Sequence, residues 1–116
     1  MALLSLGLAI IMKIDLGNVI AERSLEAVHE DGNESSMLVL LGTPARHPHS
    51  TGVFVPYQID HMNKKRLWYA AGVDGFQALL LAMKMILVEI ETLERRHKMK
   101  VRFNRDENGN LGFNNF

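Results

Sequence analysis

The chain has 116 residues, with Lys plus Arg and Asp plus Glu each numbering 13 and no cysteine. Zero formal charge supplies no global field toward nucleic acid or an anionic membrane. The lack of thiols excludes a disulfide framework, a thiolate zinc site and a cysteine nucleophile, and makes a reducing compartment, the cytoplasm, the expected location. The length suits one domain that buries roughly two-thirds of its unfolded surface.

Charge is unevenly placed. Residues 1–63 carry three basic and seven acidic groups, and residues 64–116 ten basic and six acidic. That asymmetry favours head-to-tail contacts or a weak anionic ligand.

Residues 1–11 are apolar, without the basic region or the small-residue cleavage site of a signal peptide. They are also too short for a membrane span, which needs about 20 residues. Residues 1–13 are therefore read as an apolar N-terminal extension that docks on an apolar surface or a partner, ahead of an added strand or of residues translated upstream of a start at Met12. Residues 14–116 are read as a single domain.

Residues 18–28 mix β-branched and charged side chains, and Asp31-Gly32 then supplies a turn signal, so a hairpin is expected. Its second arm, residues 37–41, is apolar on both faces, as in a central strand. Gly42 and Pro44 end it, and a polar loop with Pro48 fills 45–52. Residues 53–59 resume as a strand; Pro56 removes a ladder donor, which predicts an edge or bulged strand. A turn over 60–65 and a fourth strand over 66–71 precede Gly72.

Residues 74–98 read as one long helix starting at Gly75. Asp74 and Gln77 fit a capping box, and Arg95, Arg96 and Lys98 complement the negative end of the helix dipole. Phe76, Leu79, Leu80, Met83, Ile86, Leu87, Ile90 and Leu93 form one apolar stripe. Ala78, Leu81, Ala82, Met85 and Val88 fill the opposite side. A sheet is expected under one face and a second protein surface, most simply another copy, over the other. Alternation over 99–104 predicts a further strand, and Asn108-Gly109 a hairpin turn that returns Leu111 and Phe113 along it. The fold class is thus α+β: a mostly antiparallel sheet of four to six strands with one long helix packed across it.

The segments VIAER at 19–23, PYQID at 56–60, YAAGVDGFQALL at 69–80 and NGNLGF at 108–113 together resemble a family of small bacterial proteins known only as a domain of unknown function. The likeness spans residues 14–113. It implies a bacterial, cytoplasmic origin and carries over no activity, cofactor or site residue.

Among chemistry-bearing groups, His47 and His49 have the i, i+2 spacing that sets two imidazoles on one side of an extended segment. A third ligand would have to come from distant His29, His61 or a carboxylate, with no recognisable spacing, so an exposed polar loop is the stronger reading and no metal or cofactor is expected. The basic groups Lys64 to Arg66 and Arg95, Arg96, Lys98, Lys100, Arg102 and Arg105 lie near Trp68, Tyr69 and Phe103. Glu89, Glu91 and Glu94 dilute that patch, and nucleic acid is not the expected partner. Ser35, Ser36 and Ser50 lack a nucleophile-elbow pattern, Asp74 would repel an anion from the helix start, and residues 106–110 lack the ligands of an EF-hand.

Two functions follow. The favoured one is a non-catalytic interaction protein that forms a homodimer through Leu81, Met85 and Val88 and recognises another protein, its seven methionines offering adaptable contact. The alternative is a small-ligand-binding protein or weak enzyme with a pocket between sheet and helix, using His47, His49, Tyr57, His61 and Trp68 as polar handles.

Overall fold

Strict alternation of apolar residues places one side chain of every pair on a shared face, and the pairing of strands keeps those faces in register. The computed structural model describes residues 14–46, 51–106, 108 and 111–113. Within them run β1 (Val19–His29), β2 (Glu34–Gly42), β3 (Ala45–Arg46), β4 (Val53–His61), β5 (Lys64–Gly72), α1 (Gly75–His97) and β6 (Met99–Arg102). The sheet is antiparallel and ordered β3-β4-β2-β1-β6, with β5 on the remaining side of β4. The expected α+β architecture is the one observed.

The core face reads through the register. Leu25 opposes Met37, Val39 opposes Ile59, Ala27 opposes Val101 and Val55 opposes Ala70, and all eight are buried. Helix α1 covers this face with Ala78, Ala82, Ile86, Ile90 and Leu93. Each of the three large side chains contributes roughly 2–3 kcal/mol of burial.

Local features differ from the sequence reading in four places. Strand β4 is neither an edge nor bulged: it pairs on both sides, and its register with β5 runs without a break from Val53↔Gly72 to His61↔Lys64. Pro56 is tolerated because the β2 ladder stops at Leu41↔Tyr57, and β3 takes over at Val53 and Phe54. The proline falls in the gap between two neighbours, where no donor is needed. The residues 45 and 46 read as loop are thus the short strand β3. The turn after β4 is only Met62-Asn63, with φ of 52° and 62°, the left-handed pair of a type I′ turn. Leu111 and Phe113 form no strand; Leu111 is buried and Phe113 packs against the core.

The two faces of α1 are also redrawn. Ala78 and Ala82, read as the far side, lie against the sheet, whereas Phe76 is 82% exposed and Leu80 is exposed as well. The caps follow expectation with one change. Asp74 accepts from the Gln77 amide at 2.9 Å, and the Gln77 side chain accepts from the Val73 amide at 2.7 Å rather than from Asp74.

The helix ends at Lys98 in the left-handed region (φ 49°, ψ 58°). A side chain is strained there and glycine is not. Lys98→Gly is expected to raise stability by about 0.5–1 kcal/mol, read as a higher denaturant midpoint at unchanged slope; a lower midpoint would show that the lysine side chain contributes more than its backbone strain removes.

Candidate functional site

Tyr57 on β4 stands directly opposite Trp68 on β5, so both side chains project to the helix face. Beside them α1 presents Leu81, Lys84, Met85, Val88, Glu89 and Thr92, residues at helical three-and-four spacing. Together they line an open groove of about 420 Å³. Its floor is Tyr57, which is buried, while Trp68 is 52% and Val88 61% exposed at its rims. Leu81 and Met85 are half-buried between them and pack against the core.

The Tyr57 hydroxyl donates to Glu89 Oε2 at 3.4 Å. Burial, and then the adjacent Glu89 carboxylate, push its ionisation well above the ordinary tyrosine value. It stays protonated and serves as a donor, not a base. Thr92 Oγ1 donates to the Val88 carbonyl at 3.0 Å and so turns its hydrogen-bonding capacity inward. The groove offers apolar walls with one charged residue of each sign, a surface suited to contact.

A second grouping lies at the C-terminal end of β4. Ser35 Oγ is 3.0 Å from His29 Nε2 and 3.0 Å from His61 Nε2. With neutral rings, the hydroxyl donates to one imidazole and accepts from the other. The His29 and His61 rings stack at 6.2 Å, and His97 meets His61 edge-on at 6.0 Å. His61 is 5% exposed. Burial first, then the charges of His97, His29 and Arg66, lower its proton affinity below the ordinary histidine value. Among the described residues no group of three or more His, Cys, Asp or Glu is placed to hold a metal ion; both Nε2 atoms facing Ser35 are already engaged there.

The nominated residues therefore divide. Tyr57 and Trp68 share the groove with all three interface nominees, Leu81, Met85 and Val88. His61 belongs to the histidine cluster, four residues or about 13 Å along the strand from Tyr57. His47 and His49 lie outside the described residues. Sequence reasoning missed Ser35 and His97 in the cluster and Lys84, Glu89 and Thr92 in the groove. It also missed Arg23, whose guanidinium lies 4.2 Å from the Phe103 ring centre and 4.8 Å from that of Phe113, and donates to the Leu111 carbonyl at 2.9 Å. Of the basic clusters, Arg102 is engaged with Glu34 at 2.7 Å.

An antiparallel sheet with one long helix on its core face, and an open, largely apolar groove beside that helix, defines a small α+β domain. The chain belongs to the family described as Domain of unknown function (DUF6968), whose model matches residues 21–115. No curated protein and no solved structure matches it. Among the described residues no helix is long and apolar enough to cross a membrane.

Proposed function

We propose that the protein is a non-catalytic interaction module of the bacterial cytoplasm that self-associates through the groove between β5 and α1 and uses that side of the molecule toward protein partners. The carrying observation is that Trp68 and Val88, both more than half exposed, face one groove whose interior is Leu81 and Met85. An exposed tryptophan beside aliphatic side chains is the composition of an interface hot spot. Covering it removes apolar surface from water without any strained rearrangement of the domain.

The test is the mass in solution by light scattering. The wild type is expected to be a dimer at high micromolar concentration. Val88→Glu, on an exposed helix position, is expected to give a monomer with unchanged circular dichroism, the buried carboxylate weakening association by at least about 100-fold. A wild type that stays monomeric would remove the reading.

A second reading, a small-ligand site between sheet and helix, is favoured by one observation. A cavity of about 320 Å³ is lined by Arg23, Val39, Leu41, Met83, Ile86 and Phe113. Walls that are apolar apart from Arg23 and the exposed Glu22 suit a small apolar ligand whose carboxylate meets Arg23. Saturable titration with benzoate, lost in Arg23→Met, would support it; flat titrations would remove it.

A further inference from the structure

The partner and its geometry follow from the free side of β5. Among the described residues β5 pairs with β4 alone, and no other strand runs along its outer edge. The two-residue turn at Met62-Asn63 makes His61↔Lys64 a hydrogen-bonded pair. The pattern alternates from there. Lys64, Arg66, Trp68 and Ala70 turn their backbone groups toward β4, and Lys65, Leu67, Tyr69 and Ala71 turn theirs outward. Pro56, opposite Tyr69, fits this phase, because its missing donor would have pointed away from β5.

We infer that two copies of this chain join edge to edge through β5, antiparallel about a two-fold axis at Trp68, so that their sheets become one. This rests on the reading that the β5–α1 side self-associates, and it names the partner and the register. Residue 68 is the midpoint of the strand Lys64–Gly72. Only a seam centred there pairs the whole strand with itself, and it brings outward groups to outward groups: Leu67 with the partner's Tyr69, and Lys65 with the partner's Ala71. Trp68 then meets the partner's Trp68 at a non-hydrogen-bonded position, where side chains approach most closely. Both indoles lie on the helix face, beside both grooves.

Charge selects the same register. Lys64, Lys65 and Arg66 would repel a strand arriving parallel or slipped. Centred on Trp68, they face the partner's Gly72, Ala71 and Ala70, which are neutral and small. Moving the axis two residues toward the turn sets Arg66 against Arg66; moving it two residues the other way leaves Lys64, Lys65, Arg66 and Leu67 without a strand partner. The ends of the strand match as well. Exposed Met62, just before β5, comes beside the partner's Val73 and Phe76, just after it, both exposed. The surface is complementary to itself, as a two-fold interface requires.

The test is amide hydrogen exchange on the wild type by NMR at low and high micromolar concentration, together with the mass of Leu67→Pro. Concentration is expected to slow exchange at Lys65, Leu67, Tyr69 and Ala71 by at least about tenfold. Lys64, Arg66, Trp68 and Ala70, already bonded to β4, are expected to stay unchanged. Leu67→Pro removes an outward donor while leaving the β4 ladder intact, and is expected to weaken the dimer by about 100-fold. A dimer sensitive to Val88→Glu but without the alternating protection would overturn the edge seam and leave the groove reading standing. A wild-type monomer at all concentrations would overturn both.

Discussion

Ala82→Leu is expected to destabilise the protein by about 2–3 kcal/mol, whereas Leu80→Gln, two positions away on α1, stays within about 0.5 kcal/mol. Ala78 and Ala82 are fully buried against the sheet, while Ile86, Ile90 and Leu93 occupy the same stripe further along. The helix starts close to its support and has more room later. How close is shown at Gly72, where a Cβ would stand 2.7 Å from the backbone nitrogen of Ala78. A leucine at 82 has no void to enter and must lift the first half of α1 from β4 and β5. That movement also separates Leu81 and Met85 from Tyr57 and Trp68, so the variant is expected to lose self-association along with stability. Urea denaturation checks the first effect. A midpoint equal to the wild type at the same slope would mean that the helix seat is looser than its two alanines indicate.

The same two residues mark where the sequence stops being legible. The first half of α1 is apolar almost all round, and periodicity alone ranks its sides by bulk. Bulk points to Phe76 and Leu80, but the face that docks is chosen by distance, which only small side chains satisfy. Strands β2 and β4 were readable because 37–41 is a short continuous apolar run, 53–59 sets Val53, Val55, Tyr57 and Ile59 on one side, and their ends carry Gly42 and Pro44 or a polar turn. Strand β3 was not: two exposed residues have no period. Pro56 gave a correct local statement, that a donor is missing, and an incorrect global one. The vacancy is met by a change of neighbouring strand rather than by an edge. The meeting of Tyr57 with Trp68 follows from a turn at Met62-Asn63; asparagine favours the left-handed backbone, but Met62, at the first turn position, gives no such signal. The cluster of His29, Ser35, His61 and His97 needs the ends of β1, β2, β4 and α1 together, information that resides in the sheet order and not in any spacing.

That cluster makes stability depend on acid. Between about pH 7.5 and pH 5, thermal stability is expected to fall as pH is lowered, and His61→Gln is expected to flatten the slope. The sign comes from His61, whose proton affinity is lowered in the folded protein by burial first and then by His97, His29 and Arg66. In the unfolded chain it titrates at the ordinary value of 6.5. Below that pH the unfolded state binds the proton more readily than the folded one. The contribution of neutral His61 is therefore complete above the unfolded value and is lost as pH falls toward the lower folded one. One group accounts for at most about 1.4 kcal/mol per pH unit.

The surroundings add cations and anions of their own. Ser35 faces the ring from β2, and His29, His97 and Arg66 face it from β1, α1 and β5. Glu30, Asp31, Glu34 and Lys98 line the open side of the His29–Ser35–His97 group, and Asp60, Lys64 and Lys65 the open side of His61. Protonating His61 places a second cation beside Arg66 and forces its Nε2 to donate, so the Ser35 hydroxyl can no longer bond as donor to that ring. Glutamine at 61 keeps a side-chain amide within reach of Ser35 and carries no proton equilibrium. Calorimetry of both proteins across the range decides the matter: parallel slopes would assign the acid loss to other groups, and a flatter slope for the variant would assign it to His61.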